Sequence, residues 1–221
     1  MKQRGSRLLV ALLAMVAFVA PNTQQSLAQG QPDASLSSLL ARLAADPTTP
    51  KEYNAQVKLH VRMRVFPWIS ITLNGNSAYK RPGIYRFVFR GVPKAAEHFS
   101  DLAYDLGTAS TWPQKYEISL LTPASPGVEP VIRLVPKKRG MVKFLDVTVD
   151  ALKGHIDKAL WTRFDGGVIA LANHYNTVGT HEIVALQNAT IDIPHMKAEL
   201  AAEYSDFAVD ANSGAAVNVG H

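Results

Sequence analysis

Histidine is the residue type in this chain best suited to metal binding or proton transfer, but the spacing of the seven histidines supports neither. His181-Glu182 is not followed by a second histidine four residues on, as an HExxH zinc motif requires. We therefore predict no metal site and a surface or structural role for each histidine. The seven are His60, His98, His155, His174, His181, His195 and His221.

Nucleophilic catalysis also lacks a motif. The chain has no cysteine and no G-x-S-x-G element, which excludes a catalytic thiol and leaves a hydrolase serine without support. Gly166-Gly167 is not followed by the Lys-Ser/Thr of a phosphate loop. Carboxylate pairs have no local signature, so an enzyme would need an arrangement such as Asp146 or Asp150 near His155. We predict that the protein is not an enzyme and uses no cofactor.

The N-terminus predicts a secretory signal peptide over residues 1–28. Three basic residues within the first seven positions precede an apolar stretch, Leu8–Ala20, that is too short for the roughly 20 residues of a membrane-spanning helix. Ser26 and Ala28 fit the small-residue pattern of a cleavage site. We therefore expect cleavage near Ala28 and a mature chain in the periplasm.

Composition bounds the mature chain. Removal of the signal peptide leaves 20 Lys and Arg residues against 18 Asp and Glu residues, a balance that does not indicate nucleic-acid binding. Without disulfides, stability must come from core burial. We expect one domain over residues 29–210, which is long enough for a sizeable core, and a polar, flexible tail over 211–221.

Two short amphipathic helices are predicted. Over residues 36–45, leucines recur at spacings of three, one and three, which places them on one helical face. Asp33 stands at a possible N-cap, and Asp46-Pro47 should end the helix because the residue before proline avoids the α region. Residues 94–104 could form the second helix. The leucines are Leu36, Leu39, Leu40 and Leu43.

Residues 57–65 show the most regular pattern, a strict alternation of apolar and basic residues typical of a two-faced strand. The apolar members are Val57, Leu59, Val61, Met63 and Val65, and the basic members are Lys58, His60, Arg62 and Arg64. The basic stripe is either a solvated face or a docking surface for anionic headgroups or an acidic partner, with Lys58, Arg62 and Arg64 as its docking residues.

The rest of the chain predicts further strands. Residues 69–73 run into Asn74-Gly75, which predicts a tight turn, and Asp165-Gly166-Gly167 predicts a hairpin. Residues 107–114 are predicted as a loop, and 195–204 as a strand rather than a helix. The remaining strands are predicted at 84–89, 115–122, 130–135, 141–149, 156–164, 168–175 and 181–192. The spacing of these strands favours a mainly β, antiparallel meander, either a barrel or an open half-barrel.

The apolar faces of these strands must be buried. In a closed barrel they form a core, whereas in a half-barrel they can leave a cavity for a ligand. The residues that we predict to line such an apolar cavity are Leu59, Val61, Met63, Val65, Trp68, Tyr85, Phe87, Phe89, Ile118, Leu120, Leu134 and Phe144.

One segment resembles a known family. Gly75–Phe87, with the order G…YKRPxxYRF, resembles the LolA-like periplasmic carriers and sensors of outer-membrane lipoproteins, and Ile132–Lys137 and Val147–Asp150 fit the same order. The resemblance covers roughly residues 36–192. It implies an α+β fold, an antiparallel open half-barrel whose concave face is covered by short helices, here 36–45 and 94–104.

The resemblance implies a periplasmic carrier of a hydrophobic, acyl-chain-bearing ligand, with a lipid or an acylated lipoprotein as its partner. An envelope membrane protein is a further possible partner. The alternative function is an interaction or sensor module of an envelope complex that uses the cationic strand face without carrying lipid.

Overall fold

A computed structural model of the chain describes residues 34–46, 48–66, 68–81, 84–90, 106, 108–123 and 128–209. All of them belong to one compact unit, residues 32–221. The predicted signal peptide, the predicted helix at 94–104 and the predicted tail at 211–221 lie outside these described residues. Within the described part of the chain, no helix has the length and apolar character needed to cross a membrane.

Ten antiparallel strands form one open sheet in the order β3-β2-β1-β10-β9-β8-β7-β6-β5-β4, so β3 and β4 are its edges. The predicted half-barrel class is confirmed. The helices are α1 (Ala34–Ala45) and α2 (Trp112–Lys115). The strands are β1 (Glu52–Met63), β2 (Ser70–Lys80), β3 (Ile84–Phe89), β4 (Tyr116–Thr122), β5 (Val131–Pro136), β6 (Val142–Asp150), β7 (His155–Arg163), β8 (Val168–Val178), β9 (His181–Ile193) and β10 (Met196–Val209).

The register aligns apolar residues into two rows on one face of the sheet, which we call the inner face. The first row crosses eight strands and the second crosses nine, and neither contains a polar residue. The first row is Ile118, Leu134, Leu145, Trp161, Ile169, Ile191, Ala198 and Met63. The second is Leu120, Ile132, Val147, Ala159, Leu171, Ala189, Leu200, Val61 and Ile71.

Helix α1 lies on the inner face, and its prediction from leucine spacing is confirmed. Leu36, Leu39 and Leu43 are buried in one cluster with residues of both rows, while Ser37 and Ser38 are exposed. A 12-residue helix is marginal in isolation, so its stability comes from burying this apolar face against the sheet.

The predicted turn at Asn74-Gly75 is wrong. β2 continues through both residues to Lys80, and the connection from β1 lies at residues 64–69. Gly75 pairs with Val57 on one side and Phe89 on the other. A Cβ at Gly75 would collide with the carbonyl oxygen of Val88 and lie 2.8 Å from the ring of Phe89. The glycine therefore permits close approach of β3 rather than a reversal of the chain.

The loop predicted at 107–114 is partly helical. Residues Ala109–Thr111 form a 3₁₀ turn that leads into α2. Trp112 is completely buried there, and its indole Nε1 donates a hydrogen bond to the carbonyl oxygen of Leu106 at 2.9 Å. The buried indole anchors the segment to the core. The polar residues around Trp112 in the sequence favour a loop and give no sign of this burial.

The hairpin at Asp165-Gly166-Gly167 and the strand assignment at 195–204 are confirmed. The amide of Arg163 bonds the carbonyl oxygen of Gly167 at 2.9 Å, and Gly166 has a φ of +81°. Glycine adopts that left-handed conformation without the steric cost of a side chain.

Candidate functional site

The inner face is filled where α1 covers it. Ile132, Leu134 and Trp112 have no exposed surface, and they belong to the same cluster as the α1 leucines. The described inner face under α1 is therefore a packed core in this conformation, and access to it requires movement of the helix.

An open cavity of about 460 Å³ lies beside α2 at one end of the inner face. This volume falls within the roughly 300–1,000 Å³ of small-molecule sites. Tyr116, Met141 and Val142 supply accessible apolar surface, and the lining also includes Leu145 and Trp161 of the first row, which are 1% and 7% exposed. The cavity therefore continues the apolar inner face beyond the part that α1 covers.

Basic residues surround the same cavity. Lys137 and Lys138 from the β5–β6 turn contribute to its lining, together with Lys115 from α2. The ammonium of Lys137 donates to the carbonyl oxygen of Pro113 at 2.7 Å, which ties the turn to α2. An apolar wall with basic groups around it suits an amphiphile that has a hydrophobic chain and an anionic head.

Five of the predicted cavity residues are brought together in the two rows of the inner face: Val61, Met63, Ile118, Leu120 and Leu134. Leu59 lies on the same face, paired with Leu73. They surround the packed core rather than the open cavity, whose described lining contains none of the twelve predicted residues.

The aromatic members of the predicted set are dispersed. Phe87 and Phe89 stack on the edge strand β3, with ring centroids 6.1 Å apart. Trp68 lies in the β1–β2 connection with 78% of its surface exposed. Val65 is in the same connection, and Tyr85 is on β3, where the placement of its side chain lies outside the described part.

Phe144 lies on the outer face, opposite the predicted cavity. It pairs with Thr162, whereas its neighbour Leu145 pairs with Trp161 on the inner face. The guanidinium of Arg133 lies 3.9 Å from the centroid of the Phe144 ring and makes two hydrogen bonds of 2.7 Å to Asp146. The hydrogen bond that Arg133 donates to the Asp146 carboxylate raises the pKa of Arg133. Period-two alternation with Leu145 and Val147 already separates Phe144 from the inner face.

Tyr116, Leu145 and Trp161 line the cavity but are not among the twelve predicted residues, although alternation gives a signal for Tyr116 and Leu145. Tyr116 is in phase with Ile118, and Leu145 is in phase with Val147. Val142 is the exception, because a bulge between Val142 and Phe144 shifts its register. What the sequence lacks is the position of α2, which decides which part of the inner face stays open.

The predicted docking residues Lys58 and Arg62 are exposed, but acidic residues on β10 lie directly opposite them. Lys58 pairs in register with Glu203, and Arg62 pairs with Glu199. Arg64 forms an ion pair with Glu199. The adjacent acids partly offset the positive charge of the stripe.

Two arginines hold the C-terminal end of α1. Arg81 donates to the carbonyl oxygens of Asp46, at 2.7 Å, and of Thr49. Arg42 donates to the carbonyl oxygens of Ala151 and Leu152 at 3.0 and 2.7 Å. Arg81 satisfies carbonyl groups at and just beyond the helix end, which lack intrahelical partners, whereas Arg42 ties the helix to the β6–β7 turn.

The buried His155 begins β7, at the same end of the sheet as the β6–β7 turn that Arg42 contacts. His155 Nε2 is 2.6 Å from Thr48 Oγ1 and 3.2 Å from a carboxylate oxygen of Glu182, and its ring stacks on Tyr175. Burial lowers the pKa of His155, with the nearby Glu182 carboxylate opposing the shift.

The carboxylates considered for an enzyme have other roles. Asp150 Oδ1 accepts the amides of Leu152 and Lys153 in the β6–β7 turn, while Asp146 binds Arg133. A search of the described residues finds no group of three or more His, Cys, Asp or Glu side chains able to hold a metal ion.

Sequence comparison finds no matching family model and no matching curated protein. Solved structures match over most of the chain. A LolA superfamily protein from Nitrosomonas europaea is 10% identical, with a TM-score of 0.50, over 80% of this chain and 94% of that one. The fold is LolA-like.

Two further solved structures agree with this fold. An outer-membrane lipoprotein-sorting protein domain from Vibrio parahaemolyticus is 13% identical, with a TM-score of 0.51, over 80% of this chain and 91% of that one. A DUF1329 family protein from Desulfovibrio piger is 10% identical, with a TM-score of 0.57, over 81% of this chain and 95% of that one. The LolA-like resemblance of the sequence is thereby confirmed for the fold.

Proposed function

We propose that this LolA-like protein is a periplasmic binding protein for a hydrophobic ligand that bears an acyl chain, either a lipid or an acylated lipoprotein. The cavity beside α2 carries the proposal, because it combines apolar surface from Tyr116, Met141 and Val142 with basic groups. The lipoprotein-sorting description of the similar Vibrio domain supports the same ligand class.

The energetics favour an acyl chain. Each buried methylene contributes about 0.8 kcal/mol, so about ten methylenes contribute roughly 8 kcal/mol before ordering costs. The open cavity would bury part of such a chain and the inner face under α1 the rest, while Lys137 and Lys138 can neutralise an anionic head at the cavity margin. A polar solute would leave the apolar surface unused.

Helix α1 would act as the cover of the longer part of the site. The two inner-face rows continue from the cavity underneath it, so displacement of the helix would lengthen the apolar surface offered to a chain. The contacts that resist displacement are the α1 leucines, Arg42 and Arg81.

Lipid extraction from the purified chain, followed by mass spectrometry, tests the proposal, and two neighbouring residues give a matched pair. Val142→Trp places an indole at the cavity, while Lys143→Trp places one on an exposed neighbouring position of the same strand. We expect the molar ratio of lipid to protein to fall in the Val142 variant and to stay at the wild-type value in the Lys143 variant.

Two outcomes would refute carriage. One is wild-type protein that contains no lipid and takes up no fluorescent fatty acid. The other is equal lipid content in both tryptophan variants, which would place the lipid outside the cavity. Circular dichroism of both variants establishes that the fold is retained.

The alternative, an interaction module that uses the cationic face of β1, has less support. Glu199 and Glu203 lie opposite Arg62 and Lys58, which favours a solvated and largely compensated surface. Charge reversal of Lys58, Arg62 and Arg64 should therefore leave association with envelope partners unchanged at low salt.

A further inference from the structure

Exposed hydrophobic side chains collect at one end of the sheet. Among the described large hydrophobic residues, five are at least 60% exposed, and four of them lie in connections at the same end. Phe66 and Trp68 are 81% and 78% exposed, and Met141 and Phe164 are 61% and 60% exposed. The fifth, Leu152, is 85% exposed at the opposite end.

The meander places these connections side by side. We define the rim as residues 64–66, 68–69, 137–141, 164–167 and 194–195, which are described residues of the connections at one end of the antiparallel sheet. The amide of Arg64 bonds the carbonyl oxygen of Lys197, and the amide of Phe164 bonds that of Met141 at 3.1 Å. The first bond ties the β1–β2 connection to the start of β10, and the second joins the β5–β6 and β7–β8 connections, so backbone contacts hold both parts of the rim to the sheet end.

The rim carries two hydrophobic anchors. Phe66 and Trp68 contact each other edge to face, with centroids 6.1 Å apart. Met141 and Phe164 form the second anchor, about four to five strands away along the sheet, which corresponds to roughly 20 Å at the usual strand spacing. Two separated anchors define an orientation, which a single exposed residue does not.

The described charges of the rim favour an anionic surface. Asp165 binds Arg163 at 2.7 Å, Asp192 binds Lys197 at 3.0 Å, and Glu199 binds Arg64. Lys137, Lys138 and Arg139 are exposed and, among the described residues, take part in no ion pair. Asp165, Asp192 and Glu199 are thus paired, whereas the three consecutive cations are not, and Glu117, exposed near the start of β4 without an ion pair among the described residues, offsets only one of them.

We propose that the rim docks the protein onto the surface of an anionic phospholipid bilayer, with Phe66, Trp68, Met141 and Phe164 entering the interface and residues 137–139 contacting phosphate groups. Tryptophan favours the headgroup region of a bilayer, phenylalanine and other apolar side chains enter the boundary between headgroups and acyl chains, and basic clusters are attracted to anionic lipid. An aromatic pair, a second apolar anchor and uncompensated cations on one edge satisfy these requirements.

Docking in this orientation would bring the cavity to the membrane, because Lys137, Lys138 and Met141 belong both to the rim and to the cavity lining. The docking surface is argued from the rim residues alone. Its use for transfer of a ligand between the cavity and the bilayer rests on the proposed function.

Vesicle flotation tests the proposal on the chain as recovered from cells, with its N-terminus established by mass spectrometry. Vesicles of phosphatidylcholine alone are compared with vesicles that also contain phosphatidylglycerol, at low salt and at about 1 M salt, where the Debye length falls to about 3 Å. The variants are Phe66→Ser with Trp68→Ser, and Ser at all three positions 137–139. Leu152→Ser is the matched control for an exposed apolar residue away from the rim.

We expect wild-type protein and the Leu152 variant to float equally with anionic vesicles at low salt, and binding to weaken at high salt. Replacement of the three cations should weaken binding by up to about fivefold per cation, because each cation contributes about 1 kcal/mol near an anionic surface. The aromatic double variant should also bind more weakly, because its interfacial contacts are removed.

The fluorescence of Trp68 reports contact of the rim with lipid. Of the other two tryptophans, Trp112 is 0% exposed, whereas Trp161 lines the cavity and would itself respond to a lipid bound there, so the part of the blue shift and of the quenching by brominated lipid that disappears in Trp68→Phe reports Trp68. Trp68→Phe should still float but lose that part of the shift.

The proposal is overturned if wild-type protein does not bind anionic vesicles, or if Trp68 shows neither shift nor quenching on binding. It is equally overturned if the rim variants bind as well as the Leu152 control. Those results would leave lipid carriage by the cavity untouched, because the extraction experiment measures it independently.

Discussion

Replacement of Leu39 by alanine tests whether α1 opens independently of the sheet. Leu39 is 6% exposed and packs in the cluster between helix and inner face. The change removes three carbons, about 2.4 kcal/mol at 0.8 kcal/mol per methylene, and measured Leu→Ala losses of about 2–5 kcal/mol include the cavity left behind. We therefore expect helix attachment to weaken by about 2.5 kcal/mol.

The loss should be local to the helix. Among the described residues, no backbone hydrogen bond joins α1 to a strand, whereas each strand is bonded to its neighbours. The helix is held by side chains, so it can detach while the sheet remains paired. A loss of 2.5 kcal/mol makes the opened state of the helix about 60-fold more populated, so the helix amides should exchange their hydrogens about 60-fold faster.

Amide hydrogen exchange by NMR or mass spectrometry measures this effect. Amides of residues 38–45 should exchange about 60-fold faster in Leu39→Ala, while those of Ile132 and Val147 change little. Uptake of a fluorescent fatty acid should accelerate if the helix covers the binding site. Ala41→Gln, on the exposed side of α1, is the control and should stay within about 0.5 kcal/mol of wild type. Equal acceleration in helix and strands would refute independent opening.

Three further predictions concern stability. Gly75→Ala should displace β3 and lower the free energy of unfolding by about 1–3 kcal/mol in urea titration; an unchanged midpoint would contradict the close-approach argument. Asp146→Asn should cost about 1 kcal/mol, because it weakens the partly exposed pair with Arg133, and the same loss in 1 M salt would argue against an ionic origin. His155→Gln should flatten the pH dependence of stability. Burial lowers the pKa of His155 from 6.5, so the unfolded chain takes up the proton first, and wild-type stability falls as pH drops through about 6.5 toward the lower folded-state pKa. A wild-type profile that is flat across this window would count against that reasoning.

The rim illustrates what one-dimensional patterns leave out. Phe66 and Phe164 are separated by almost a hundred positions, and each alone is an unremarkable loop residue. Their place on one edge follows from the position of β1 beside β10, a pairing between the two ends of the described chain. Local sequence carries no information about that long-range pairing.

The cavity illustrates the same limit for buried residues. Alternation assigns Leu134 and Leu145 to one face, but it does not separate a residue under a helix from one beside an opening. Trp112 and the α1 leucines fill the space over Leu134, while Leu145 also reaches the cavity. The periodicity of one strand does not predict which of its buried residues a helix covers.

The sequence alone determined α1, the two faces of β1, the hairpin at Gly166 and the mainly antiparallel class, because each follows from side-chain periodicity or backbone freedom over a few residues. Only the tertiary structure decided that Gly75 lies within a strand, that Phe144 faces outward beside Arg133, and where the inner face stays open. Those outcomes depend on which distant segments meet, and the free energy of such packing belongs to pairs of elements rather than to either segment alone.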